Sequence, residues 1–319
     1  MEKLVLIDGH SILNRAFYGV PNLTNSEGLH TNAVYGFLNI LFKVLDEEKA
    51  DYLAVAFDLK APTFRHKMFD AYKGTRKPMP EELHEQVPLM KEVLTAMGVP
   101  ILTKEGYEAD DILGTIAKRE QKDGYEVTIL SGDRDLLQLS DTHIRICLPK
   151  TSRGTTEVHN YYPEDVIREY QVTPEQFIEV KALMGDQSDN IPGVPSIGEK
   201  TATSLIVQYQ NLENIYTHLD EVKPPRAKKA LEEHRDLAEL SLKLARICVD
   251  APIEFSMADA KLENLYTPEA YEYMKRLEFK SIAARFGEGI RNESGPEKQF
   301  VLVEDFSEAD ALFEKITSV

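Results

Sequence analysis

The chain has 319 residues, with 37 Lys and Arg against 54 Asp and Glu for a formal net charge of −17, 42% hydrophobic residues, two cysteines and no Trp. This composition excludes a disordered chain and describes an acidic globular protein of one large domain or two ordinary ones. The longest apolar runs, such as Leu4 to Ile7, fall far short of the ~20 residues that cross a bilayer, and no signal-peptide pattern precedes them. Cys147 and Cys248 are too isolated for a disulfide framework or a zinc cluster, so the cytoplasm is the expected address, with no membrane partner. The negative charge also speaks against nucleic acid unless a local basic patch outweighs it.

Three apolar runs end in acids: Leu4 to Ile7 before Asp8, Tyr52 to Phe57 before Asp58, and Val127 to Leu130 before Ser131-Gly132-Asp133. Each is short and continuously apolar, which predicts a buried parallel strand. Between the first two, Val34, Phe37, Leu38, Leu41 and Leu45 recur at helical spacing after a Thr31 or Asn32 cap. Leu83, Val87, Met90, Leu94 and Met97 form a second stripe closed by Gly98, with Pro88 expected to break or kink its start. Val99 to Leu102 then predicts another strand, and Asp110 to Lys122 the helix after it. Strands alternating with helices imply an α/β fold with a mostly parallel sheet.

After about residue 172 the pattern becomes helical: Pro174 to Met184, Lys200 to Gln208, Arg226 to Glu233 and Leu237 to Ile247, with short Pro and Gly interruptions. The expected division is an α/β core at 1–172, a helical region at 173–287, a polar linker at 288–299 and, at 300–319, one strand and one helix of a domain left incomplete. On this reading the chain is a fragment of something longer.

The sharpest feature is the placement of acids. Asp8, Asp58, Asp133 and Asp135 fall at or just beyond the carboxyl ends of predicted strands, where open α/β sheets bind ligands, and Glu108, Asp110 and Asp111 open the helix after the fourth strand. One such Asp is ordinarily a cap or turn residue. Several gathered in one crevice repel one another unless a cation is present, and oxygen-only ligands favour Mg²⁺ or Mn²⁺ over zinc. Asp186 and Asp189 add two more in Gly185-Asp186-Gln187-Ser188-Asp189-Asn190, which lacks the spacing of an EF-hand and alone would read as a capped turn. Nine candidate carboxylates suit two metal ions.

Gly193 to Ala202 nearly matches a phosphate loop, but Glu199 stands where Lys is required and no strand precedes it. The other reading is a hairpin between two helices, in which Gly193 and Gly198 permit tight turns, the first N–H groups of the next helix face a phosphate, and Lys200 adds a charge. Lys60 to Lys77 holds six basic residues against the single acid Asp70, a local charge of +5 that answers the objection from net charge. A helix here would align Arg65, Phe69, Tyr72 and Arg76 on one stripe with Lys73 beside it, although Gly74, Pro78 and Pro80 limit its length. Such a stripe is ordinarily a solvated amphipathic face; beside a metal crevice, basic residues interleaved with rings fit single-stranded nucleic acid better.

In these residues the sequence resembles the structure-specific 5′ nucleases, among them the N-terminal nuclease domains of bacterial DNA polymerases of type I. The resemblance runs from about residue 1 to about 287, through Asp8, Asp58, Glu108-Ala109-Asp110-Asp111, Gly132-Asp133-Arg134-Asp135 and Gly185 to Ala202. It implies a PIN-like α/β core with a helical arch, then a helix-hairpin-helix region that binds duplex DNA. All nine carboxylates become metal ligands or their supporting partners, Lys73 and Arg76 become arch residues at the scissile phosphate, and Tyr72 becomes a base-stacking group. Arg65, Lys77, Gly193, Ile197, Gly198, Lys200 and Thr201 complete the implied DNA contacts.

The expected activity is phosphodiester hydrolysis with two Mg²⁺ or Mn²⁺ ions, cutting a 5′ flap or 5′ end at a DNA junction, RNA-primer ends included. Asp8, Asp58, Glu108, Asp110 and Asp111 would mainly hold the first ion; Asp133, Asp135, Asp186 and Asp189 would serve the second. The resemblance further implies a monomer joined covalently to polymerase domains. A phosphatase of the haloacid dehalogenase kind would want an Asp where His10 stands. A non-catalytic junction-binding module would keep its binding without metal.

Overall fold

A computed structural model describes residues 1–152 and 155–286. The linker expected at 288–299, and the strand and helix expected from Phe300 onward, lie outside the described residues. The chain divides into two compact units, Met1–Leu265 and Tyr266–Val319, and the boundary expected at 172/173 falls inside the first.

The first unit opens with β1 (Lys3–Asp8), α1 (Gly9–Gly19), α2 (Asn32–Glu48), β2 (Tyr52–Ala56), α3 (Phe64–Met68), α4 (Glu81–His84), α5 (Gln86–Ala96) and β3 (Ile101–Leu102). It continues through α6 (Ala109–Lys122), β4 (Glu126–Leu130), a 3₁₀ turn at Arg134–Leu139, and the strands β5 (Ile144–Ser152) and β6 (Thr155–Tyr161). Helices α7 (Pro163–Tyr170), α8 (Pro174–Met184), α9 (Glu199–Tyr209), α10 (Leu212–Thr217), α11 (Pro225–Glu233) and α12 (Arg235–Ala245) follow. In the second unit, α13 (Pro268–Arg276) starts on the cap Thr267, and Arg285 Nε donates to Tyr266 Oη at 2.7 Å. Among the described residues no helix is long and apolar enough to cross a membrane.

The strands form one sheet in the order β3-β2-β1-β4-β5-β6, parallel except for the β5–β6 pair. β1, β2 and β4 are buried almost throughout, which is why they read as unbroken apolar runs. The chain steps outward from β1 to β2 and β3, then crosses back to lay β4 on the other side of β1. The switch point of the sheet therefore lies between β1 and β4, at the ends that carry Asp8 and Ser131-Gly132-Asp133.

Three local outcomes follow from backbone chemistry. Pro88, inside α5, cannot donate to the His84 carbonyl, and the predicted helix is divided at Glu85 into α4 and α5. Thr173 caps α8 in a reciprocal box with Gln176, and Pro174 takes the first helical position, where its missing N–H costs nothing. The single stripe predicted from Arg65 to Arg76 does not form: α3 ends at Met68, the chain continues in turns, and Lys73 takes a left-handed φ of 55°. The expected helical arch is thus two short helices joined by a non-helical segment.

That segment is anchored by Arg65, which is 2% exposed. Its guanidinium donates to both oxygens of Asp111 at 2.8 Å and to the carbonyls of Leu244 and Arg246 at 2.9 and 2.8 Å. One side chain thereby fastens α3, α6 and the end of α12. Removing one member of a buried pair strands the other charge, so Arg65→Met should lower the unfolding free energy by about 3–5 kcal/mol. A fall in the urea midpoint reads this loss, and Arg65→Met combined with Asp111→Leu should recover much of it.

Candidate active site

Asp8 closes β1 and caps α1. Its Oδ1 accepts from the Ser11 N–H at 3.0 Å and its Oδ2 from Ser131 Oγ at 2.8 Å. The same two serines accept from the turn beyond β4: Gly132 N–H donates to Ser11 Oγ at 2.9 Å and Asp133 N–H to Ser131 Oγ at 3.0 Å. Asp58 follows β2 and accepts the Ala109 N–H at the start of α6 at 2.7 Å, with His10 Nδ1 3.7 Å from its other oxygen. Asp8, Asp58, Asp110 and Asp133 line one cleft of about 1070 Å³, together with Glu108, Lys73, Arg76 and Lys77.

Burial raises the Asp8 carboxyl to about 7, reinforced by Asp58 and Asp133 and resisted by Ser11 and Ser131. Asp110 is held well above the carboxylate range by burial and then by Asp8, Asp133 and Asp58, against Lys73. Asp135 rises to about 7 through burial and Asp133 despite Lys181. Asp186 goes the other way, to about 2, because hydrogen bonds from Lys181 and Ser188 outweigh its burial. The cleft thus concentrates buried negative charge on oxygen donors, a chemistry that a hard divalent cation neutralises. Among the described residues no three His, Cys, Asp or Glu groups close on a common point.

The remaining acids are already engaged by cations and hydroxyls. Glu108 caps α6 and accepts from Lys73 Nζ at 2.7 Å, Tyr72 Oη at 3.1 Å and Arg65 Nη1 at 3.2 Å. Asp189 accepts from Arg76 Nη2 at 2.5 Å and Tyr72 Oη at 3.3 Å, with Lys73 Nζ 4.0 Å away. Asp135 and Asp186 share the ammonium of Lys181.

Several expectations are corrected here. Asp111 is fully buried and spends its oxygens on Arg65, the Cys248 N–H and the Glu108 N–H, so it supports the fold beneath the cleft and does not face it. Arg65, occupied by that carboxylate, has no surface to offer DNA. Tyr72 is 3% exposed, with its ring edge-on to His66, and cannot stack on a base; its hydroxyl ties Glu108 to Asp189. Lys73, Arg76 and Lys77 do reach the cleft.

In the hairpin, Gly193 has φ 63°, and a Cβ there would lie 2.3 Å from the Gly185 nitrogen; its own N–H donates to Ser241 Oγ at 2.9 Å. Ile197 belongs to the helical core. Neither Gly193 nor the Ile197 side chain is therefore free for DNA. Gly198 caps α9 with φ −96° and open space around it, and the hairpin's second left-handed residue after Gly193 is Ser196, at φ 69°. Lys200 is exposed, Thr201 is half-buried, and Arg226 donates to Ser196 Oγ at 3.1 Å beside them. Arg226, His10, Ser131 and Lys181 carry no site signal in the sequence, whereas Ser11, three residues after a strand-end Asp, carries a legible capping signal.

A model of the 5′-3′ exonuclease N-terminal resolvase-like domain matches residues 3–171, and one of the 5′-3′ exonuclease C-terminal SAM fold matches residues 172–267. DNA polymerase I of Bacillus caldotenax is 45% identical over 315 residues, 99% of this chain and 35% of that protein. DNA polymerase I of Bacillus subtilis (strain 168) is 46% identical over 287 residues, 90% of this chain and 32% of that protein. The chain spans about a third of the length of these relatives. Among solved structures, a bacteriophage T5 flap endonuclease in complex with DNA and metal ions shares the fold at TM-score 0.64 and 24% identity, over 87% of this chain and 100% of that one. A T5 5′-exonuclease with bound zinc does so at TM-score 0.64 and 22% identity, over 91% and 99%. With its sheet and its helical region each matched in order, the chain belongs to the 5′-3′ exonuclease family, of the kind found in the N-terminal part of bacterial DNA polymerase I.

Proposed function

We propose that the chain is a metal-dependent, structure-specific 5′ nuclease that hydrolyses phosphodiester bonds at 5′ flaps and 5′ ends of duplex junctions, leaving a 5′ phosphate and a 3′ hydroxyl. The observation that carries this reading is the convergence of Asp8, Asp58, Asp110 and Asp133 on one cleft whose rim holds Lys73, Arg76 and Lys77. Asp8, Asp58 and Asp110 would hold one divalent cation together with Asp133, which lines the same cleft and so moves here from the second ion expected for it; Asp135, Asp186 and Asp189 would serve the second, with Glu108 supporting the first. When bound, such cations supply Lewis acidity toward water and the reacting phosphate.

The chain's own groups do the rest. Lys73 and Arg76, now on Glu108 and Asp189, transfer to the phosphate when it enters and stabilise the charge that builds on its oxygens. Ser11 and Ser131 hold Asp8 in one orientation, and His10 Nδ1 accepts the Asp58 N–H at 3.2 Å, fixing the backbone that carries that carboxylate. Lys200, with the open first turn of α9 at Gly198 and Thr201, grips duplex backbone without reading sequence. The T5 flap endonuclease structure with DNA and metal ions supports this assignment through the shared fold. As the nuclease part of a DNA polymerase I, the chain would remove displaced strands and primer ends, RNA included, in replication and repair.

Digestion of a 5′-labelled flap duplex, beside blunt and 3′-flap duplexes, should release a short 5′ fragment from the 5′ flap alone with Mg²⁺ and nothing in chelator. Asp110→Asn should cut cleavage by about 100-fold or more while leaving flap affinity within a few-fold, since it removes a charge needed in the transition state. The same variant should raise the melting temperature in chelator, because the lost charge is one the fold resists; equal loss of affinity and cleavage would count against the assignment.

Because Asp8, Asp110 and Asp135 are raised, the metal-free folded chain binds more protons than the unfolded one above the ordinary carboxylate range. Stability in chelator should therefore fall as pH climbs toward about 7, where Asp8 and Asp135 lose their protons, and Mg²⁺ should restore it mostly on the alkaline side. Thermal melts from pH 5 to 8 with and without Mg²⁺ check the sign. Lys200→Ala should weaken duplex binding across sequences and reduce the salt slope by about 1, measured by anisotropy.

A further inference from the structure

Past Ser11 and Asp133 the cleft continues into a second cavity of about 450 Å³ lined by Asp135, Lys181 and Asp186, and Lys181 is a buried cation there that no part of the proposed mechanism uses. It lies in α8, 7% exposed, five residues before Asp186 in sequence. Its ammonium donates to Asp186 Oδ2 at 2.5 Å and to Asp135 Oδ1, which follows β4 in the sheet. A buried ammonium is costly without anionic partners, and here it takes two. The contrast with the other half of the cleft is direct: the hydrogen bonds to Asp8 come from an amide and a hydroxyl, both neutral, whereas Asp135 and Asp186 share a full positive charge.

We propose that Lys181 is a positioning residue, the resident counter-ion of the Asp135–Asp186 half of the cleft, and that it makes this half the weaker of two divalent-cation sites. The inference rests on the metal-dependent reading above. Two carboxylates facing a cation present two charges; with Lys181 between them they present one, and their best-placed oxygens are already occupied. An incoming ion must share those oxygens with the ammonium or displace it, while the Asp8, Asp58, Asp110 and Asp133 half gains from an ion at once. The cleft therefore fills in order, and the second half fills readily only when substrate phosphate adds negative charge. Lys181 also joins the sheet-borne turn Asp133-Arg134-Asp135 to the loop carrying Asp186 and Asp189, so the second pair of carboxylates stays assembled before any ion arrives.

Calorimetric titration of Mn²⁺ alone into the full chain near pH 8, without DNA, tests this. The expected wild-type isotherm has a tight and a weak class of site. Lys181→Met should leave the tight class within about two-fold and strengthen the weak class by roughly ten-fold, one buried charge being worth at least that much at short range. Lys181→Arg, which keeps the charge, should restore the wild-type pattern. In chelator Lys181→Met should melt below wild type and regain the difference with Mn²⁺. Lys181→Gln, able to bond both carboxylates without charge, takes its place if the Met variant does not fold. Two wild-type classes left unchanged by folded Met or Gln variants would overturn the role of Lys181 alone. Failure of the wild-type chain to bind Mn²⁺ at millimolar concentration would overturn the metal-dependent reading together with it.

Discussion

Carboxylates held together at the carboxyl edge of a parallel sheet repel one another, and in the interior that repulsion has to be offset within a few ångströms. Every level of the structure answers this demand. The crossing of the chain from β3 back to β4 brings Asp8 and Asp133 to the same switch point, and α6 begins where it can deliver Glu108 and Asp110 to them. Around this cluster the protein uses cations in two ways. Arg65 neutralises Asp111 permanently, beneath the cleft, and is part of the scaffold. Lys73 and Arg76 neutralise Glu108 and Asp189 from the rim, where a better partner can draw them away.

How far this was legible in the sequence depended on what each signal encodes. Continuous apolar runs ending in Asp gave β1, β2 and β4 and the location of Asp8, Asp58 and Asp133, because burial on both faces and strand direction are properties of the local sequence. The α8 boundaries were equally plain from Thr173-Pro174 and Gly185. Orientation was not. Arg65, Tyr72, Lys73 and Arg76 sit at helical spacing, and spacing cannot tell a surface that faces solvent from one that turns onto a buried acid. Asp111 and Asp110 are adjacent, yet successive positions on a helix point about 100° apart, which sends one to Arg65 and the other to the cleft. The hairpin of β5 and β6 has no continuous apolar signature, because Arg145, Pro149 and Lys150 interrupt β5.

The basic segment from Lys60 to Lys77 shows how a charge patch can be divided by burial. Its excess of cations suggests one uniform surface, but Arg65 is spent on the fold and Lys73 is half-buried on Glu108, while Lys60, Arg76 and Lys77 stay exposed along the cleft and Lys67 is exposed outside it. Fewer cations are available to a polyanion than the sequence count implies. Those available lie next to the acids, where a phosphate would replace a carboxylate already in place.

The contact between Gly185 and Gly193 has a consequence for length. Asp186 and Ile191 bond to each other through both backbone groups, at 2.9 and 2.8 Å, and Gly193 packs against Gly185 so closely that no side chain fits at either position. The loop that carries Asp186 and Asp189 is therefore pinned at its base, and the chain reaches Gly198, the cap of α9, only five residues past Gly193. The stretch works as a ruler: if α9 holds a duplex backbone and the acids mark the bond to be cut, the interval between grip and cut is written into the covalent chain. An inserted residue here would change the measured interval, and with it the position of the cut, before it changed the chemistry.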